Sequence, residues 1–80
     1  MTESEASAVA MCDIPKLRSA ARKAGESATV EILDRRRAYL DRRNRLQRDH
    51  MQSNPHVMAL SVADRRKLWE SIGLPERGMA

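Results

Sequence analysis

Apolar residues along the 80-residue chain recur at helical spacing, and no stretch alternates in the way a half-buried strand would. Ile14, Leu17, Ala21 and Ala24 fall at i, i+3, i+7 and i+10, one face of a helix that carries Pro15 in its first turn. Gly25 is expected to end that helix in the left-handed conformation. From Ser27 to Ser53 there is no Gly and no Pro, so this stretch reads as one long helix with Ser27 as its N-cap. Its length would be roughly 40 Å at ~1.5 Å per residue. Pro55 stops it, because a proline pushes the residue before it (Asn54) out of the helical region. After a short connection over 56–60, Ser61 and Asp64 have the spacing of a capped start for a last helix over 62–72. Val62, Leu68, Trp69 and Ile72 are expected to serve as its apolar side. At Gly73-Leu74-Pro75, a left-handed Gly73 would let Leu74 fold back onto Trp69.

The pattern therefore predicts an all-α protein, a helical hairpin with one long central helix plus a short C-terminal helix. Helices are expected at about 14–24, 27–53 and 61–72 in a single domain over 13–75. Residues 1–12 read as a tail or a short helix, with Thr2 and Glu5 at capping-box spacing. Residues 76–80 read as a loose tail.

The long helix departs from the usual pattern along its apolar arc. Leu33, Leu40 and Met51 lie along one edge and Ile32, Tyr39 and Leu46 along the other. The midline runs through Thr29, Arg36, Arg43 and His50, where a core-facing helix normally carries aliphatics. One reading lays the arginine stems over a narrow seam with the guanidinium groups in water. The other has Arg36 and Arg43 meet acidic groups on a partner, a match for a bidentate fork on an apolar face.

Composition adds that the core is thin: fourteen Val, Ile and Leu, one Trp, one Tyr and no Phe. A chain so short buries only ~60% of its unfolded surface. A second copy or a partner is expected to complete it, most simply as a homodimer. Cys12 is alone, so no internal disulfide can form. The acidic N-terminus is unlike a signal peptide, and no apolar run approaches a membrane span. A cytoplasmic location is expected, with no membrane contact.

The net charge of +4 sits in the long helix, where residues 34–49 hold seven Arg and three Asp. Elsewhere eight basic residues balance eight acidic ones. Arg35, Arg36, Arg37, Arg42, Arg43, Arg45 and Arg48 could track nucleic-acid phosphates. Interleaved acids at 31, 34 and 41 are instead spaced to pair along the helix with Arg35, Arg37 and Arg45. The segment AARKAGESATVEIL also resembles a helix-turn-helix DNA-binding element. Ala21, Gly25, Ser27, Thr29 and Val30 echo the small first-helix residue, the turn glycine and the start of a recognition helix. It departs from the pattern at Glu26, where an apolar residue is usual, in a serine-to-Thr-Val distance one residue short, and in the length of the second helix.

Enzymatic chemistry is not expected. His50, His56 and Cys12 lack metal-ligand spacing, and a small helical chain has little volume for a pocket. No cofactor motif is present. The residues point to a small regulatory or inhibitory protein that binds a protein partner presenting acidic groups. Arg36, Tyr39, Arg43, Leu46, His50, Met51 and Met58 are its expected contacts, the last two beside the apolar patch at Pro55. Nucleic-acid binding through the seven arginines is the alternative.

Overall fold

In the computed structural model the described residues are 1–78. Among them the architecture is all-α, with four helices and no strand. The order is α1 (Glu3–Ala6), a 3-10 turn (Met11–Asp13), α2 (Ile14–Lys23), α3 (Ser27–Ser53), a second 3-10 turn (Pro55–Ala59) and α4 (Val62–Ser71). No helix among these residues is long and apolar enough to cross a membrane. Two compact units are present: Met1–Leu40 with Arg77 and Gly78, and Asp41–Glu76. The long helix α3 contributes a stretch to each.

In the first unit, α1 is closed by a full capping box. The Thr2 hydroxyl accepts from the Glu5 N–H at 3.2 Å and Glu5 Oε1 accepts from the Thr2 N–H at 3.1 Å. Two of the helix's otherwise orphaned donors are thereby satisfied. Ile14, Leu33, Tyr39 and Leu40 form the buried cluster, with Val9, Met11 and Leu17 packed against it. Outside this cluster, Arg18 clamps Asp34 with Nε at 2.7 Å and Nη2 at 3.5 Å, tying α2 to α3. Gly25, at φ +73°, ends α2. The Glu26 N–H reaches the Ala21 carbonyl and the Gly25 N–H reaches that of Arg22. This is the pair of bonds that closes a helix through a left-handed residue. The long helix starts at Ser27 itself, one residue earlier than a Ser27 cap would give; the Val30 N–H bonds the Glu26 carbonyl.

In the second unit, the Ser61 hydroxyl accepts from the Asp64 N–H at 3.2 Å and caps α4. Gly73, at φ +82°, ends it: the Leu74 N–H donates to the Trp69 carbonyl at 2.7 Å. Leu74 is thereby folded into a cluster with Trp69 and Val57, against which Met51, Leu60 and Leu68 pack. Val62 and Ile72 were expected in the apolar side of this helix, yet they stand 66% and 43% exposed. The stripe leading back from Trp69 to Val62 passes through Arg65 and Arg66. The packed side of α4 is carried by Leu68 and Trp69.

The tail expected over 76–80 falls partly outside the described residues, at 79 and 80. Within them, Glu76 pairs with Arg66 and the Gly78 carbonyl accepts from Arg36.

Candidate functional site

The two midline arginines of α3 turn inward, each within its own unit. Arg36 is 2% exposed. Its Nε donates to the Val9 carbonyl at 3.1 Å and its Nη1 to the Gly78 carbonyl at 2.6 Å. The guanidinium carbon also lies 5.6 Å from the Tyr39 ring centroid, within cation–π range. Val9 and Gly78 both lie outside helices and are half-buried, where a carbonyl has no helical donor of its own. A guanidinium with several donors serves both carbonyls from one position. Arg36 thus does not send its head group to water.

Arg43 is half-buried, and its Nε donates to the Leu74 carbonyl at 3.2 Å. With its amide turned so that the oxygen faces Arg43, Gln47 accepts from the same guanidinium at 3.1 Å. His50 is half-buried and meets the Trp69 ring edge-on, with centroids 5.6 Å apart. Met51 belongs to the Val57–Trp69–Leu74 cluster. Of the seven expected partner contacts, Leu46 and Met58 alone face outward, at 43% and 68% exposure. The apolar patch at Pro55 divides accordingly: Val57 turns in and Met58 turns out.

The remaining arginines of α3 form its outer side. Arg35 pairs with Glu3 at 2.7 Å. Arg37, Arg42, Arg45 and Arg48 are exposed, with Asp41 and Asp49 interspersed. The surplus carried by α3 is divided between the units, the basic residues exceeding the acidic by two in each. Among the described residues, no group of three His, Cys, Asp or Glu is arranged to hold a metal ion.

Titration is perturbed in the first unit. The hydrogen bond from Arg18 holds the Asp34 carboxyl below the usual carboxylate range, and the same bond raises Arg18. Glu5 is lowered by the Thr2 N–H and hydroxyl that its carboxylate accepts from. These are capping and tying contacts rather than a reactive cluster.

A feature missed in the sequence lies in the second unit. Val62, Arg65, Arg66 and Trp69 fall at i, i+3, i+4 and i+7, one stripe along α4. With Arg43 of α3 and with Glu76 they line an open pocket of ≈ 270 Å³. Arg66 Nε stands 3.4 Å from Glu76 Oε2, a solvent-exposed pair. Arg65 Nε is sealed from solvent and donates to no acceptor among the described residues. An orphaned donor of this kind costs about 1–3 kcal/mol. The spacing that normally marks a buried stripe was legible in the sequence. Two arginines in its centre were the signal that it lines a polar pocket.

No family model, no curated protein and no solved structure matches the chain.

Proposed function

We propose that the protein is a small non-enzymatic regulatory or inhibitory factor that binds a protein partner through the Asp41–Glu76 unit. The observation that carries this reading is the outward placement of Leu46, Met58, Val62 and Ile72, at 43%, 68%, 66% and 43% exposure. Single exposed aliphatics are ordinary on a protein surface. Here, however, four face solvent in a unit whose sealed cluster is Val57, Trp69 and Leu74. So small a core leaves apolar surface that a second protein can cover. Leu46 and Met58 make contact on this reading, while His50 and Met51 hold the surface from within and Arg36 and Tyr39 belong to the other unit. A homodimer built on the same exposed side chains, with α2 folded back on α3 as a helical hairpin, belongs to the proposal.

The test uses the whole chain as bait in a nuclease-treated host lysate, beside Met58→Asp and Val62→Asp variants. A protein retained by the native chain and lost from both variants is expected. Capture that disappears with nuclease, or that persists in both variants, would overturn the reading. Light scattering at micromolar concentration is expected to give twice the 9.1 kDa chain mass. The same monomer mass at every concentration would remove the dimer.

A further inference from the structure

The arginine-lined pocket of the second unit is better built for an anion than for an apolar side chain. Three of its six lining residues are arginines, Glu76 is the one acid, and Val62 and Trp69 supply apolar wall. The arginines are not equivalent. Arg43 is fixed by the Leu74 carbonyl, so its charge is placed without being spent on a carboxylate. Arg66 already holds a carboxylate of the chain itself, that of Glu76. Arg65 makes no side-chain hydrogen bond or ion pair among the described residues, and its buried Nε is left without an acceptor. That Nε is closed to an incoming group, but Arg65 is only half-buried and lines the pocket, and the one acid of the lining, Glu76, is paired with Arg66, so its charge stands in the wall without a carboxylate of the chain opposite it among the described residues.

We propose that this pocket receives an Asp or Glu carboxylate from an acidic segment of the protein partner, bidentate on Arg65 and neutralised by Arg43. A neighbouring apolar residue of the segment rests on Val62, which stands 66% exposed at the pocket wall. The proposal rests on the reading of the Asp41–Glu76 unit as the binding surface and supplies the chemistry of its partner. A carboxylate matches a guanidinium fork in both charge and geometry. Glu76 shows that a carboxylate is accommodated at the rim, on Arg66. It also competes with any incoming acid for the same positive field, so the chain carries a mild internal inhibitor of its own site.

The experiment titrates the full chain with a short fluorescein-labelled peptide alternating Glu and Leu, followed by anisotropy. Its Gln-for-Glu counterpart, inorganic phosphate and a DNA duplex are run in parallel. Arginine Nε–H and tryptophan indole resonances of the labelled protein report the location. Saturable binding of the acidic peptide is expected, with shifts at Arg65, Arg43 and Trp69 and no binding of the Gln peptide. Arg65→Gln should weaken it about tenfold, and Arg65→Lys should recover part of the loss, because charge returns without the fork. Glu76→Gln should tighten it a few-fold, a gain that a damaged fold would not give.

Absence of saturable binding in both the native chain and Glu76→Gln would overturn the proposal. So would an Arg65→Gln variant that binds as before. A duplex or phosphate that produces the same shifts at lower concentration would replace the acidic peptide with a nucleic-acid backbone. If Arg65→Gln captures the partner normally while Val62→Asp does not, the pocket falls and the apolar surface reading stands.

Discussion

Arg36 Nε donates to the carbonyl oxygen of Val9 at 3.1 Å, across 27 positions of the chain. The same guanidinium reaches the Gly78 carbonyl, so one side chain ties both terminal segments to α3. Replacing it with an aliphatic of similar length keeps the stem but removes the Arg36 donor from two part-buried carbonyls. Arg36→Met should therefore cost about 3 kcal/mol, with each charged hydrogen bond worth ~1.5–3 kcal/mol. Arg36→Lys should recover part of that, since an ammonium is a point charge where the guanidinium offers a fork. Urea unfolding followed by circular dichroism measures both, and a change under 0.5 kcal/mol for Arg36→Met would contradict the structural role.

The end of α4 makes a local prediction. At Gly73 a Cβ would meet nothing within 4 Å, so Gly73→Ala tests backbone strain alone. With φ at +82°, the expected cost is about 1 kcal/mol. Trp69 is 8% exposed and anchors the Val57–Leu74 cluster. Trp69→Ala should cost ~3 kcal/mol, and the native emission should be blue-shifted relative to a solvated indole. Emission at the wavelength of a fully exposed tryptophan would contradict its burial.

How much of this was legible in the sequence follows from how local each signal was. The Gly73-Leu74 clip needed three neighbouring residues and the left-handed preference of glycine. The uninterrupted run of helix formers marked Ser27–Ser53 in the same way. The orientation of Arg36 was not legible. Its partners are backbone carbonyls at residues 9 and 78, which every residue type carries and no pattern reveals. The arc on α3 marked an inward face at Leu33, Arg36, Tyr39 and Leu40 but not at Leu46, and what an arginine finds there depends on distant segments. Val62 misled for a related reason: its β-branched side chain suited a core, while the neighbouring Arg65 and Arg66 decided that the stripe would stay open.

Acid should act on the first unit through Asp34. Its carboxyl is lowered by the Arg18 hydrogen bond, so near pH 4 the folded chain binds fewer protons there than the unfolded chain. The stabilisation is complete above the ordinary aspartate value of about 4 and is lost as pH falls through the depressed folded value. Glu5, lowered by Thr2, adds with the same sign. Both groups are exposed, so the effect should be small and weakened by salt. Asp34→Asn is expected to lie below the native chain in urea midpoint at pH 7 and to converge with it as the pH falls through the depressed Asp34 value. Parallel curves over that range would show that the Arg18–Asp34 clamp contributes no pH dependence.

The outer side of α3 separates protein binding from nucleic-acid binding. Arg42, Arg45 and Arg48 are exposed there, beside Asp41 and Asp49. On the protein-partner reading they keep the helix solvated, while contact is made by Met58 and Val62. Replacing all three with Gln should then leave partner capture intact and stability within about 0.5 kcal/mol, the usual range for exposed substitutions. On the nucleic-acid reading the same variant should lose most duplex affinity, and the slope of log affinity against log salt should fall by about three. Arg36→Glu cannot make this distinction, because it would bury a carboxylate opposite the Val9 and Gly78 carbonyls and disrupt the first unit before any partner is met. Fluorescence titration of a duplex at several salt concentrations, beside capture of the protein partner, decides the matter. Steep salt-dependent duplex binding that vanishes in the triple variant would establish the phosphate reading in place of the protein one.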